Sequence, residues 1–237
     1  MSFRFKQFFV EDSRCAMKVG TDGVLLGRFA ALPGWTGERI LDVGTGSGLI
    51  ALMMAQQAPK AQIDAIDIDE AAAEQAQENF FSSPWSDRLH AFRARLQDWQ
   101  PNQLYDLIVS NPPYFQNSLK NPDKGRETAR HTDSLNYDEL LAHSARLLSE
   151  EGQLALILPA DTEEEILALA NTHGFRVASI THVFSKAGKP AKRVLIAFAR
   201  NAETPEFHNP ESDILVLEDE KGGRSAAYQE LMKEFYL

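Results

Sequence analysis

The sequence predicts an α/β fold, a doubly wound and mostly parallel sheet joined late in the chain by an antiparallel hairpin. Three observations carry this expectation. Apolar runs of strand length alternate with longer segments of helical pattern, which is the signature of a sheet covered on both faces. A glycine-rich turn, Gly44-Thr45-Gly46-Ser47-Gly48, joins one such strand directly to the helix after it. The 237 residues suit one large domain better than two small ones.

In chain order, Arg39–Val43 (RILDV) reads as a strand and Leu49–Ala58 as a helix. Gln62–Asp67 is a second strand, followed over Glu70–Phe81 by Ala, Glu and Gln, all good helix formers. Leu89–Ala94 and Tyr105–Ser110 are the third and fourth strands. Leu140, Leu141, Ala145 and Leu148 recur at helical spacing over Tyr137–Leu148. Gln153–Leu158 is a buried strand that stops at Pro159, and Glu163–His173 a helix capped by Gly174. Phe175–Phe184 and Arg193–Ala199 are two strands joined by a basic loop. Ile214–Glu218 has the pattern of an edge strand and Ser225–Phe235 that of a short helix. The expected organisation is a single domain over 1–237: a covering segment 1–36, a catalytic core 37–200, and a tail 201–237 packed on it.

Composition narrows the function classes. Cys15 is the single cysteine, so no intrachain disulfide forms and a reducing cytoplasm is expected. The six histidines have no metal-ligand spacing, and no metal is expected. The first residues, MSFRFKQFFVEDSR, hold no apolar stretch of signal-peptide length, and no run approaches the ~20 apolar residues of a membrane helix. A cytoplasmic monomer that does not engage a membrane is expected. The net charge of −10 counts against wholesale coating of nucleic acid and leaves room for a local basic patch.

Ligands of such sheets bind at the carboxyl ends of the strands, where the glycine turn lies. Its spacing excludes two common ligands. A dinucleotide fingerprint G-x-G-x-x-G would place its third glycine at position 49, which is Leu49. The lysine of a triphosphate-binding loop is also missing. Asp42, just before the turn, disfavours phosphate and suits a cationic ligand. Asp67, at the end of the second strand, is placed to accept from a ribose diol, with Asp69 as a competitor. A ligand with ribose, adenine and positive charge but no phosphate is S-adenosylmethionine.

Asn111-Pro112-Pro113-Tyr114 follows the fourth strand. An aromatic amine attacks poorly because its lone pair is delocalised into the ring. Two acceptors aimed at its N–H bonds favour the more tetrahedral, nucleophilic state. The Asn111 side-chain carbonyl and the Pro112 backbone carbonyl can be those acceptors, and prolines supply no competing N–H. Tyr114 offers a stacking face worth ~1–3 kcal/mol per base. No strong general base is needed, since the proton becomes acidic once the nitrogen is methylated.

LDVGTGSG with the acidic second strand end resembles motifs I and II of the class I methyltransferases, which implies a Rossmann-like methyltransferase sheet. The resemblance implies cofactor roles for Asp42, Gly44, Gly46, Gly48 and Asp67, and Asn111 is expected to touch the cofactor as well as the amine. It departs from the usual pattern at Arg95, where an Asp often contacts the adenine; backbone groups or Asp98 are the alternatives. In methyltransferases NPPY marks enzymes acting on adenine N6, a guanine amine or a glutamine amide. FKQFFV, CAMKVGTDG, LDVGTGSG and NPPYF together resemble the bacterial tRNA1(Val) adenine-37 N6-methyltransferase family, over about Phe3 to Phe198. A preceding segment in class I enzymes closes over the methionine end of the cofactor; here Lys18, Thr21 and Asp22 are its polar candidates.

A tRNA partner is expected. Arg126 and Arg130 follow the NPPY loop together with Lys120 and Lys124; Lys189, Lys192 and Arg193 lie in the late hairpin with Lys186. If these share a face, they can track phosphates despite the acidic total. The alternatives are a protein glutamine methyltransferase of the release-factor type, which usually carries an N-terminal helical domain for which the early glycine loop leaves no room, another NPPY nucleic-acid methyltransferase such as one acting on DNA adenine, and a non-catalytic RNA-binding module on the same fold.

Overall fold

The structure is a computed structural model that describes residues 2–30, 36–113, 135–200 and 212–236. Strands β1 (Ser2–Arg4) and β2 (Phe9–Glu11) form a small antiparallel pair, and helix α1 spans Thr21–Phe29. The main sheet holds β3 (Arg39–Val43), β4 (Gln62–Asp67), β5 (Leu89–Arg93), β6 (Tyr105–Ser110), β7 (Leu148–Pro159), β8 (Phe175–Lys186), β9 (Ala191–Arg200) and β10 (Ser212–Glu218). Its order is β10-β8-β9-β7-β6-β3-β4-β5. Only β9 runs against its neighbours β7 and β8, which makes the expected late antiparallel hairpin. β10 adds an edge strand parallel to β8.

The strands are apolar on both faces because both are covered. Ile40, Ile63, Leu107, Val109, Ala155 and Leu195 pack into one core with α2 (Leu49–Gln57), α3 (Glu70–Phe81), α1 and the last helix, α6 (Ala226–Met232). Residues of the opposite parity, Leu41, Ile66, Ile108, Leu154, Leu156 and Ile196, pack into the other, with α4 (Tyr137–Leu147) and α5 (Glu163–Thr172). α4 opens on a capping box, Asn136 with Glu139, which satisfies two helix-end N–H groups reciprocally.

The register fixes which loops share an edge. Val43 pairs with Ile66 and Ser110, and Ser110 with Leu156. The glycine turn after β3, the Asp67 end of β4 and the residues after Ser110 therefore emerge together. Pro159 of β7 lies opposite Arg193, so the β8–β9 hairpin, with Lys186, Lys189 and Lys192, projects past this same edge.

The termini of the described chain meet. Lys6 N–H donates to the Phe235 carbonyl at 2.9 Å, Arg28 Nε to Leu231 O at 3.2 Å, and Gln56 Nε2 to Glu234 O at 3.0 Å. Phe5 stacks between Phe8 and Tyr236, with ring centroids 4.6 and 6.0 Å away. This seam carries the N-terminal segment, whose next residues are β2 and the loop 12–20.

Candidate active site

The glycine turn is shaped from below by Asp42. This carboxylate is fully buried; its Oδ2 accepts from Thr45 Oγ1 at 2.7 Å and from the Ala51 N–H at 3.2 Å. Gly48, the N-cap of α2, has no side chain to satisfy the first helical N–H groups, and Asp42 does so from the neighbouring strand. Burial pushes the Asp42 carboxyl up to about 7, against the hydrogen bonds from Thr45 and Ala51. Its Oδ1 is buried and has no hydrogen-bond partner among the described residues. The shift has a sign for stability. The folded chain holds this proton more tightly than the unfolded chain does, so the contribution is fully present below the ordinary Asp value of about 4. It is lost as pH rises through about 7. Wild-type protein is therefore expected to lose stability across that window relative to Asp42→Asn, whose side chain cannot ionise. Thermal melts of both from acid to mildly alkaline pH check this, and parallel curves would contradict it.

Asp67 holds the turn from the side. Its Oδ2 accepts from Gly46 N–H at 2.9 Å and its Oδ1 from Asp69 N–H at 3.0 Å. A carboxylate has about four acceptor positions, so two remain for a diol. Asp69 caps α3 instead, accepting from Ala71 N–H at 2.8 Å. The Gly44 and Gly46 Cα atoms face open space: a Cβ at either would meet no atom within 4 Å. Gly48 faces the core, where a Cβ would stand 2.5 Å from the Phe80 ring.

The N-terminal segment is tied to the turn through Asn79 of α3, a residue that sequence reasoning missed. Buried to 2% exposure, its amide accepts from Glu11 N–H at 3.0 Å and donates to Glu11 O and to Ser47 O, both at 2.8 Å. One turn earlier, Gln75 accepts from Ser13 Oγ and Arg14 Nε, both at 3.3 Å. No local pattern marks Asn79, because its partners lie some thirty and seventy residues away. Ile68 was also missed: it stands 48% exposed directly after Asp67, an apolar surface beside that acid's two remaining acceptor positions.

The Lys18 ammonium is held by the carbonyls of Asp12, Cys15 and Ser13 at 2.6, 2.9 and 3.2 Å. Thr21 opens α1, and Asp22 pairs with Arg193 at 2.9 Å. Arg95 Nε lies 4.0 Å from Asp98. Lys189 and Lys192 are exposed on the hairpin tip. Burial pushes the Cys15 thiol up to about 11, so it is a packing residue and not a nucleophile at neutral pH. Tyr114, Arg126 and Arg130 lie outside the described residues.

Asn111 and Pro112 stand at the end of β6, beside the start of the turn, where Ser110 Oγ donates to Val43 O at 2.9 Å. Pro112 is buried and Asn111 half-buried. Asn111 Nδ2 donates to the Met17 sulfur at 3.4 Å, while its Oδ1 is buried without a partner among the described residues. A buried acceptor left unmatched is costly and marks a place for a donor from elsewhere.

Residues 19–179 match the family described as "Methyltransferase small domain". Across 99% of its length the chain is 46% identical to the tRNA1(Val) (adenine(37)-N6)-methyltransferase of Phocaeicola vulgatus, covering 97% of that protein. The chain belongs to the tRNA1(Val) (adenine(37)-N6)-methyltransferase family. Another member, from Aeromonas salmonicida, is 45% identical, with 99% of this chain and 97% of the relative covered. Among solved structures, a protein described as a predicted O-methyltransferase from Agrobacterium tumefaciens superposes with a TM-score of 0.68 at 19% identity, over 90% of this chain and 96% of that one. TrmN from Thermus thermophilus gives 0.52 at 25% identity, over 75% and 48%. The sheet is thus the class I methyltransferase fold, and S-adenosylmethionine is the cofactor of this family's site. The residues fit it: an open glycine cradle, spare acceptors on Asp67, and the unmatched Asn111 oxygen.

Proposed function

We propose that this chain methylates the exocyclic amine of adenine 37 in tRNA1(Val). The observation that carries the chemistry is the unmatched Asn111 Oδ1 beside the glycine turn; the substrate follows from the family. In this reading Gly44, Gly46 and Gly48 shape the cofactor cradle, Asp42 fixes it from below, and Asp67 takes the ribose. Ile68 lies against the adenine. Lys18 and Thr21 act through the covering segment. S-adenosylmethionine supplies an activated methyl group. The protein's part is to position the amine and to polarise it. Asn111 Oδ1 and the Pro112 carbonyl accept its two hydrogens, and Tyr114 stacks on the base. A base held in a stacked loop has to be turned out to reach them.

The hairpin tip supports an RNA partner. Its lysines project past the edge that bears Asn111, so phosphates beside a bound adenine fall within their field. Arg193 anchors the hairpin to α1 through Asp22, and Arg126 and Arg130 are proposed as further phosphate contacts. Incubation with cofactor and unmodified tRNA, then nucleoside mass spectrometry, is expected to show N6-methyladenosine. Label appearing in protein with none in RNA would overturn the reading. Lys189→Glu with Lys192→Glu is expected to raise KM for tRNA about tenfold or more and to flatten its salt dependence, leaving cofactor affinity unchanged. Steady-state kinetics at several salt concentrations check it.

A further inference from the structure

Met17 is 48% exposed, yet its position is closely determined. The loop that presents it folds around Asp12: the Asp12 carbonyl accepts from Cys15 N–H at 3.2 Å, and its carboxylate accepts from Val19 N–H at 3.0 Å. The Lys18 ammonium then ties the carbonyls of residues 12, 13 and 15 together. Asn79 and Gln75 moor the whole loop on α3. From this frame the Met17 sulfur meets Asn111 Nδ2 at 3.4 Å.

The two ends of an amide are nearly equal in shape and opposite in hydrogen bonding. A thioether has lone pairs and no hydrogen, so it accepts weakly and donates nothing. It therefore favours the amide's NH2 end and repels its oxygen. With Nδ2 turned to sulfur, Oδ1 takes the buried position without a partner among the described residues.

We infer that Met17 is a positioning residue that selects the productive end of the Asn111 amide, leaving the oxygen to accept from the substrate amine. This rests on the proposed methylation of an adenine amine. A donor-only side chain at position 17 would draw Oδ1 to itself and turn the NH2 group toward the substrate, where it opposes the amine's own hydrogens. An acceptor-only side chain would keep the present orientation.

The test uses the full chain with unmodified tRNA at saturating cofactor and RNA, in single turnover, with cofactor affinity read separately by calorimetry. Met17→Lys and Met17→Arg are expected to slow transfer about tenfold or more. Met17→Glu should stay within about threefold of wild type and Met17→Leu should fall between, with cofactor affinity little changed throughout. Two donor-only variants guard against one of them failing to fold. An active wild type whose Lys, Arg and Glu variants run alike overturns the orientation alone. Loss of cofactor affinity in every variant, with transfer normal at saturation, also overturns it and makes Met17 a cofactor contact. A wild type that binds cofactor and leaves tRNA unmethylated overturns the functional reading and the inference with it.

Discussion

Asn111→Ala is expected to slow methyl transfer to tRNA by about 10²–10³-fold in single turnover, the range for removing one preorganised polar contact to a reacting group. Cofactor affinity should change by no more than a few-fold, since the glycine turn is held by Asp42 and Asp67 without help from Asn111. Stability should change little or rise, because the substitution removes a buried oxygen that has no partner among the described residues. Quenched-flow transfer, calorimetry and a melt on the same preparation separate these effects. Undiminished transfer would remove Asn111 from the chemistry.

Two glycines of one turn are expected to fail in opposite ways. In Gly48→Ala the new methyl meets the Phe80 ring at 2.5 Å, at φ +77, and Phe80 is fully buried. Left-handed strain of about 1–2 kcal/mol adds to overpacking of about 1–3 kcal/mol. At roughly 2–4 °C per kcal/mol for a domain of this size, Tm should drop by about 5–15 °C. Gly46→Ala carries the same kind of backbone strain, at φ +55, but meets no atom within 4 Å. Its Tm should fall by only a few degrees, while its methyl occupies the cradle and weakens cofactor binding by about tenfold or more. Differential scanning fluorimetry with and without cofactor distinguishes the two; equal behaviour would mean that the cradle does not face the ligand.

Much of the site was legible because its chemistry sits where a strand hands over to a loop. Gly44–Gly48 and Asn111-Pro112 follow β3 and β6 directly, and that context gave meaning to short motifs. The core strands were legible from apolar runs bounded by turn residues. What stayed hidden depends on distance in sequence. Asn79 reads as an ordinary polar residue in a helix of Ala, Glu and Gln; only folding shows that Glu11 and Ser47 converge on it. Lys18 looked like a polar contact for the cofactor, and nothing local reveals three carbonyls arranged about its ammonium. Asp42 was read as facing a cation. The fold sets it beneath the turn, where an acid can both cap α2 and order the loop. β7 runs farther back than its apolar stretch, to Leu148, which pairs with Tyr105 across an irregularity in register, while Ser149, Glu150 and Glu151 between it and Gln153 have no apolar pattern. β1 and β2 are too short for periodicity to show.

The seam between Lys6 and Phe235 has a consequence for the order in which the molecule assembles. Joining segments from opposite ends of a chain has an entropic cost that nearby pairings avoid, so such contacts form late. Neighbouring pairs such as β3–β4 and β4–β5 form without it. β2 and the loop 12–20, which brings Met17 to Asn111, hang from the seam. The sheet edge, with its glycine turn, is therefore expected to form before this N-terminal strip docks on it, and the seam is where local opening is expected first while the sheet stays folded.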